Sequence, residues 1–238
     1  MIGFLSVYLM RIVTYNTRGS LGMDGKFSTA RIIEIVRGLT PDIVCFQEIH
    51  QRLRRSGGED QPEVLETGLG RRFHFQANLH FGFGGYGIGI AQRGIFVAKW
   101  EHLLPSGREQ RGALEVKLRD VAGIRRLTVI CTHWGLTPEE RLMQAETLAE
   151  IVGPIQDPVV LCGDLNEPPE GPAVRRLIEL TGLIDADKDQ NRATIVSDNP
   201  ISRIDYILHS SQLKAIHLEV APTLASDHLP VLADLVPA

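Results

Sequence analysis

Six apolar runs in this chain carry polar side chains at an end, within, or just before them, and the sharpest is Val159-Val160-Leu161-Cys162 followed by Gly163-Asp164-Leu165-Asn166-Glu167. In a strand leaving the core, residues i and i+2 point the same way, so Asp164 and Asn166 would face one site. The carboxylate can accept a proton from water or hold a hard cation, and the amide can donate to an oxyanion without carrying charge. Asp-x-Asn is also ordinary Asx-turn chemistry, and Pro168-Pro169 beyond it is a turn signal. A calcium loop fails on register, since Pro169 stands where the glycine is needed and Arg175 where the bidentate glutamate is needed.

The same construction recurs. Arg11-Ile12-Val13-Thr14-Tyr15 ends at Asn16, and Asp42-Ile43-Val44-Cys45-Phe46 ends at Gln47-Glu48. Leu127-Thr128-Val129-Ile130-Cys131 ends at Thr132-His133, Arg203-Ile204-Asp205-Tyr206-Ile207 carries an acid within a strand, and Ser226-Asp227-His228 precedes the closing strand Leu229 to Leu235. Strand ends of a layered α/β core are where such groups converge on a ligand.

In this order the residues resemble the endonuclease/exonuclease/phosphatase superfamily, which includes abasic-site endonucleases, the pancreatic deoxyribonuclease, neutral sphingomyelinases and inositol-phosphate phosphatases. The resemblance runs from Thr14 to about Val231. It rests on Asn16 in Thr-Tyr-Asn, Glu48 in Gln-Glu-Ile, His133 in Thr-His, Asp164 and Asn166 in Gly-Asp-Leu-Asn, Asp205 in Arg-Ile-Asp-Tyr-Ile, and Asp227-His228 in Ser-Asp-His. Arg18 stands where abasic-site endonucleases have an acid, Thr132-His133 is more like the deoxyribonuclease, sphingomyelinase and phosphatase branches, and Ile88 stands where the family often carries Asn.

The resemblance implies an α+β fold, a four-layer α/β/β/α sandwich of two mixed β-sheets flanked by helices. It also implies hydrolysis of a phosphoester by an activated water, with a phosphodiester or nucleic acid, a phosphomonoester, or a lipid or sugar phosphate as substrate. A catalytically inactive phosphate-binding module of the same fold is the non-enzymatic alternative. Glu48 would be a metal ligand, and its oxygen-only setting suits Mg2+ or Mn2+ better than zinc. Asp164 would orient or deprotonate the water, with Asn16 and Asn166 positioning water and phosphate. His228 would contact the phosphoryl group, oriented by Asp205, and His133 would add a second donor. Asp227 is either a further metal contact or a brace for its loop. Arg52, Arg54 and Arg55, in the segment Gln51 to Glu63, form either a solvated loop or a cradle for a polyanionic substrate.

Composition fits one soluble domain. No Pro/Gly/Ser-rich linker divides the 238 residues, so residues 1–238 read as a single unit, with 1–9 as an extraneous extension and Met10 as an alternative start. That extension is too short for a membrane span and lacks the features of a signal peptide, which makes the cytoplasm the default location. A net charge of −4 argues against a dedicated duplex-DNA binder, and the oligomeric state stays open. Cys45, Cys131 and Cys162, odd in number and inside apolar runs, read as small buried hydrophobes in a reducing compartment.

Ser28 predicts a helix through Gly38 stopped by Pro41, Thr137-Pro138-Glu139-Glu140 predicts another to about Val152, and Pro172 to Leu180 a third. Short β runs with Gly-rich turns fill Phe73 to Leu118. Gly82, Gly84 and Gly87 fit a dinucleotide-binding pattern, but strand residues rather than a helix follow. Asp185-Ala186-Asp187-Lys188-Asp189 reads as a solvated acidic turn. His50, His74, His80, His102, His209 and His217 match no motif and read as surface or core histidines.

Overall fold

The computed structural model describes residues 9–187 and 191–238. Its strands are β1 (Met10–Asn16), β2 (Ile43–Gln51), β3 (Arg72–Phe81), β4 (Gly84–Gln92), β5 (Ile95–Leu104), β6 (Arg111–Val121), β7 (Ile124–His133), β8 (Val159–Asp164), β9 (Ile184–Asp185), β10 (Asp205–His209), β11 (Leu213–Val220) and β12 (Val231–Pro237). Among the described residues, four α-helices accompany them: α1 (Thr29–Leu39), α2 (Gln61–Leu69), α3 (Pro138–Val152) and α4 (Pro172–Thr181).

One six-stranded sheet runs β11-β12-β1-β2-β4-β3 and the other β5-β6-β7-β8-β10-β9. Each is mixed, with one parallel pair, β1 with β2 and β7 with β8, at its centre. Three apolar clusters fill the spaces between layers. The middle one joins the two sheets through Ile12, Cys45, Ile90, Val116, Val129 and Cys162. A second sets α3 and α4 against the sheet of β7 and β8 through Ala145, Leu148, Leu177, Leu161 and Tyr206. The third sets α1 and α2 against the other sheet through Ile32, Val36, Leu65, Val13 and Phe46. Helix, sheet, sheet and helix layers follow, the four-layer arrangement the resemblance implied. The central strands are buried on both faces, which is why they read as continuous apolar runs rather than alternating ones.

Local chemistry sets the helix ends. The Ser28 side chain accepts from Arg31 N at 3.3 Å, and Thr137 and Glu140 form a reciprocal capping box. Each such cap contributes about 1 kcal/mol. Helix α2 departs from the loop expected over Gln51 to Glu63. Asp60 accepts from Glu63 N and Pro62 occupies the first turn, so the chain turns helical at Gln61 and buries Leu65.

The Gly82–Gly87 segment continues as strand β4, as expected. The acidic turn differs from expectation. Asp187 is buried, and Arg203 reaches Asp185 at 2.5 Å and lies 3.8 Å from Asp187, so these acids hold an internal guanidinium rather than water. Lys188 to Gln190, like Met1 to Tyr8 of the extension, lie outside the described residues. The three cysteines are free and buried. Among the described residues, no helix is long and apolar enough to cross a membrane.

Candidate active site

Strand register brings the motifs together. Across neighbouring strands of one sheet, Gly112 pairs with His133, His133 with Asp164, and Asp164 with Asp205. Glycine is required at position 163, where a Cβ would meet Thr132 O at 2.0 Å. That close approach sets Asp164 directly beside His133. From the facing sheet, Asn16 ends β1 and Glu48 sits in a bulge of β2, where Gln47 and Glu48 intervene between the register pairs Phe46 with Gly89 and Ile49 with Gly87. The bulge puts Glu48 in left-handed backbone, φ 58°, a conformation that costs about 1 kcal/mol and turns the carboxylate out of strand alternation into the cleft.

Asn16 ties the two sheets. Its Nδ2 donates to Glu48 Oε1 at 3.1 Å and to Asp164 Oδ2 at 3.0 Å. Asp164 is fully buried, and its Oδ2 also lies 3.4 Å from His133 Nε2 and 3.7 Å from His228 Nε2. His228 Nδ1 donates to Asp205 Oδ2 at 2.9 Å, and Thr194 Oγ1 donates to the same oxygen at 2.6 Å. Ser226 Oγ, which accepts from His228 N, donates to Asn16 O at 2.8 Å and so anchors the imidazole's loop to β1.

The strand geometry expected for Asp164 and Asn166 is corrected. β8 ends at Asp164, and Asn166 lies beyond it in left-handed backbone, φ 49°, with its N donating to Asp164 Oδ1 at 2.9 Å. This is an Asx turn, yet both side chains still line the same cleft. Asn166 Nδ2 is held by Trp134 O at 2.9 Å. Glu167 clamps the turn from behind, accepting from Arg141 Nε at 2.5 Å and from Ala173 N in the first turn of α4 at 2.8 Å.

Burial and charge separate the two imidazoles. Burial holds His133 well below the usual histidine range, and the nearby Arg111 and His228 cations lower it further. Burial also pulls His228 down, but the Asp205 and Asp164 carboxylates outweigh it and raise its pKa to about 10. Near neutrality His133 is therefore neutral and His228 a cation. Burial raises Asp164 to about 7 against the pull of the His228 charge. Burial likewise raises Glu48, opposed by its Asn16 hydrogen bond.

Glu48, His133, Asp164, Asn166 and His228 line a cleft of about 410 Å³, together with Arg18, Leu21, Phe27, His50, Arg55, Tyr86, Glu109, Arg111 and Leu136, while Asn16 and Asp205 sit behind its lining. Of the three loop arginines, Arg55 reaches this cleft, where its Nη2 donates to His50 Nε2 at 3.0 Å. Arg52 is paired with Asp60 at 2.8 Å, and with Arg54 it lines a neighbouring hollow beside Phe81. Asp227 lies outside the lining, 3.3 Å from Arg18 Nε.

Asp164, Asp205 and His228 offer ligand atoms within 4.8 Å of one another. A cation there would displace the His228 proton from between two carboxylates, so this trio reads as an imidazolium hydrogen-bonded to Asp205 and charge-paired with Asp164. Glu48 fits a hard cation better, as an oxygen donor that burial leaves short of solvation and that opens into the cleft. Sequence reasoning missed Arg111, Tyr86 and His50. His50 lies two residues past Glu48 on β2 and Tyr86 pairs with it from the strand that holds Ile88, while Arg111 comes to the cleft only through the pairing of β6 with β7.

The chain is 26% identical over 172 residues to the uncharacterized Escherichia coli protein YbhP, covering 67% of this chain and 68% of that one. It superposes on an endonuclease/exonuclease/phosphatase from Beutenbergia cavernae with a TM-score of 0.82 at 24% identity, covering 97% of this chain and 72% of that one. A mannosyl-6-phosphatase from Bacteroides thetaiotaomicron superposes with a TM-score of 0.75 at 18% identity, covering 95% and 99%. Residues 13–228 match the sequence profile of the Endonuclease/Exonuclease/phosphatase family, a span that takes in every strand-end group from Asn16 to His228, and the chain belongs to that family.

Proposed function

We propose that this protein hydrolyses phosphoester bonds with the help of Mg2+ or Mn2+, acting on a phosphodiester such as a nucleic acid. The observation that carries this reading is one buried carboxyl, Asp164, set between two imidazoles held in opposite charge states. A carboxyl with a pKa of about 7 is matched to taking a proton from water near neutral pH.

Asp164 takes the proton of the attacking water. The His228 cation, held by Asp205, binds the phosphoryl oxygens as negative charge builds on them, and neutral His133 adds a hydrogen bond. Asn16 fixes the Asp164 carboxyl from the opposite sheet, and Asn166 stands at the cleft wall to position the substrate. Glu48 would hold the divalent cation, which when bound supplies Lewis acidity to the phosphoryl group. Asp227 acts as a brace rather than a ligand, because Arg18 already meets its carboxylate. The three free thiols support a reducing compartment, the cytoplasm.

A phosphomonoester is the second reading. A cleft of about 410 Å³ holds one phosphoester group with a modest leaving group, and one structural neighbour bears the name of a mannosyl-6-phosphatase. The test is hydrolysis of bis-p-nitrophenyl phosphate, p-nitrophenyl phosphate and a short oligonucleotide with each metal, with and without EDTA. EDTA-sensitive turnover is expected, fastest on the diesters. Faster monoester turnover would install the second reading, and no turnover of any substrate would leave a phosphate-binding module.

A further inference from the structure

Arg111 is a buried cation of the cleft that no motif marks. It opens β6, where Ser106 Oγ accepts from its N at 2.9 Å and Gln110 Nε2 braces both Leu104 O and Arg111 O at 2.8 Å. The next residue, Gly112, is in register with His133, which places the guanidinium at the end of the His133, Asp164 and Asp205 row. It lines the same cleft as His133, Glu48 and Tyr86, and its charge acts on all three.

The side chain is 6% exposed, and its Nε and Nη1 are buried without a hydrogen-bond partner. Glu109 Oε1 is 3.1 Å from Nη1 but lies off hydrogen-bonding geometry, and Glu109 is itself 41% exposed. Arg203 by contrast is a buried guanidinium whose fork is occupied by Asp185 and by Asp187, while Arg71, also buried with Nε and Nη1 unpartnered, does not line the cleft. Buried donors left unmet are costly, and a fold retains them where a ligand brings the acceptors. A planar guanidinium fork matches two oxygens on one centre, and a phosphate ester presents such a pair in its non-bridging oxygens.

We propose that Arg111 is a phosphoryl-binding residue of this cleft, its Nε and Nη donors taking the non-bridging oxygens of the substrate phosphate alongside His228. The assignment rests on the phosphoester reading and adds a guanidinium fork to the His228 contact that the sequence already offered. Glu109 then serves as a leash that holds the guanidinium toward the cleft while its donors stay free for substrate.

The test is calorimetric titration of inorganic phosphate into the metal-free protein, which requires no turnover. Wild type should bind phosphate, Arg111→Met should weaken binding by roughly tenfold or more, and Arg111→Lys should fall between, keeping charge but losing the fork. On a chromogenic diester, Arg111→Met should raise KM and lower kcat/KM by roughly 10- to 100-fold. A purely structural role would lower the melting temperature while leaving phosphate affinity of the folded protein unchanged, and that result overturns the proposal. So would a wild type that binds no phosphate. If Arg111→Met does not fold, Arg111→Lys decides, since wild-type phosphate affinity and kcat/KM in that variant would remove Arg111 from the site. A chain that turns over no ester yet loses phosphate binding with Arg111 would sink the hydrolase reading and leave this one standing.

Discussion

Replacing Asp205 with Asn tests the charge arrangement most directly. Burial alone would make His228 a weaker base than usual, yet the Asp205 and Asp164 carboxylates raise its pKa from 6.5 to about 10. At about 1.36 kcal/mol per pKa unit, the whole rise sets an upper limit of roughly 5 kcal/mol. Asp205 is the largest favourable contributor, 2.9 Å from Nδ1, and removing one partner of a buried pair typically costs about 3–5 kcal/mol. Asp205→Asn should therefore destabilise the protein by roughly 3 kcal/mol at pH 7, a fall of roughly 6–12 °C in melting temperature for a chain of this size. The folded pKa of His228 lies above the unfolded one, so the stabilisation is complete below pH 6.5 and drains away as pH rises through about 10. The melting-temperature gap between wild type and variant should thus narrow near pH 10. Activity should fall by about 10²- to 10⁴-fold at pH 7, and the alkaline limb of the rate profile should move down by more than one pH unit. A variant melting within about 2 °C of wild type at pH 7, with kcat within about threefold and an unmoved alkaline limb, would refute the charged dyad.

Asp164→Asn should keep the fold but lower kcat by roughly two or more orders of magnitude, and retention of more than about a tenth of wild-type turnover would remove Asp164 as the base. Glu48→Gln should shift the Mg2+ titration of activity to higher concentration with partial recovery there, and an unchanged titration would count against Glu48 as the ligand. Replacing Arg52, Arg54 and Arg55 together with Ala should reduce oligonucleotide turnover far more than that of a small chromogenic diester and flatten its log–log salt slope by roughly 2–3, whereas equal losses would mark a solvated loop. His74, stacked 4.7 Å from Phe96 with its pKa lowered to about 4 by burial, should make wild-type stability fall as pH drops from 6.5 toward 4; chemical denaturation of His74→Phe should show that slope flatter by up to about 1.4 kcal/mol per pH unit.

The strand-end groups were legible in the sequence because each is local, an apolar run of β length closing on a side chain that carries chemistry. The caps at Ser28 and Thr137 were legible for the same reason. Helix α2 carried its own signal, Asp60 before Gln61-Pro62-Glu63, masked by the Gly57-Gly58 pair and the arginines before it. The bulge at Glu48 could not be read, since nothing in Gln47-Glu48-Ile49 separates a regular strand from one with an extra residue. Nor could Arg111, whose place in the cleft depends on β6 pairing with β7, or the inward turn of Asp187 toward Arg203. Those features come from contacts between distant segments.

The first and last described strands lie side by side, with Met10 opposite Leu235 and Thr14 opposite Val231. Asn16 and His228 flank that seam, and Ser226 bridges them. A chain emerging from the ribosome thus carries Glu48, His133 and Asp164 into solution well before β12 exists to close the sheet beside Asn16. Until then the imidazole that carries the positive charge has no seat, and pairings between strands some two hundred residues apart are slow to form. Until β1 and β12 pair, the cleft lacks its charged imidazole, so whatever chemistry the site performs waits on two segments far apart in sequence coming together.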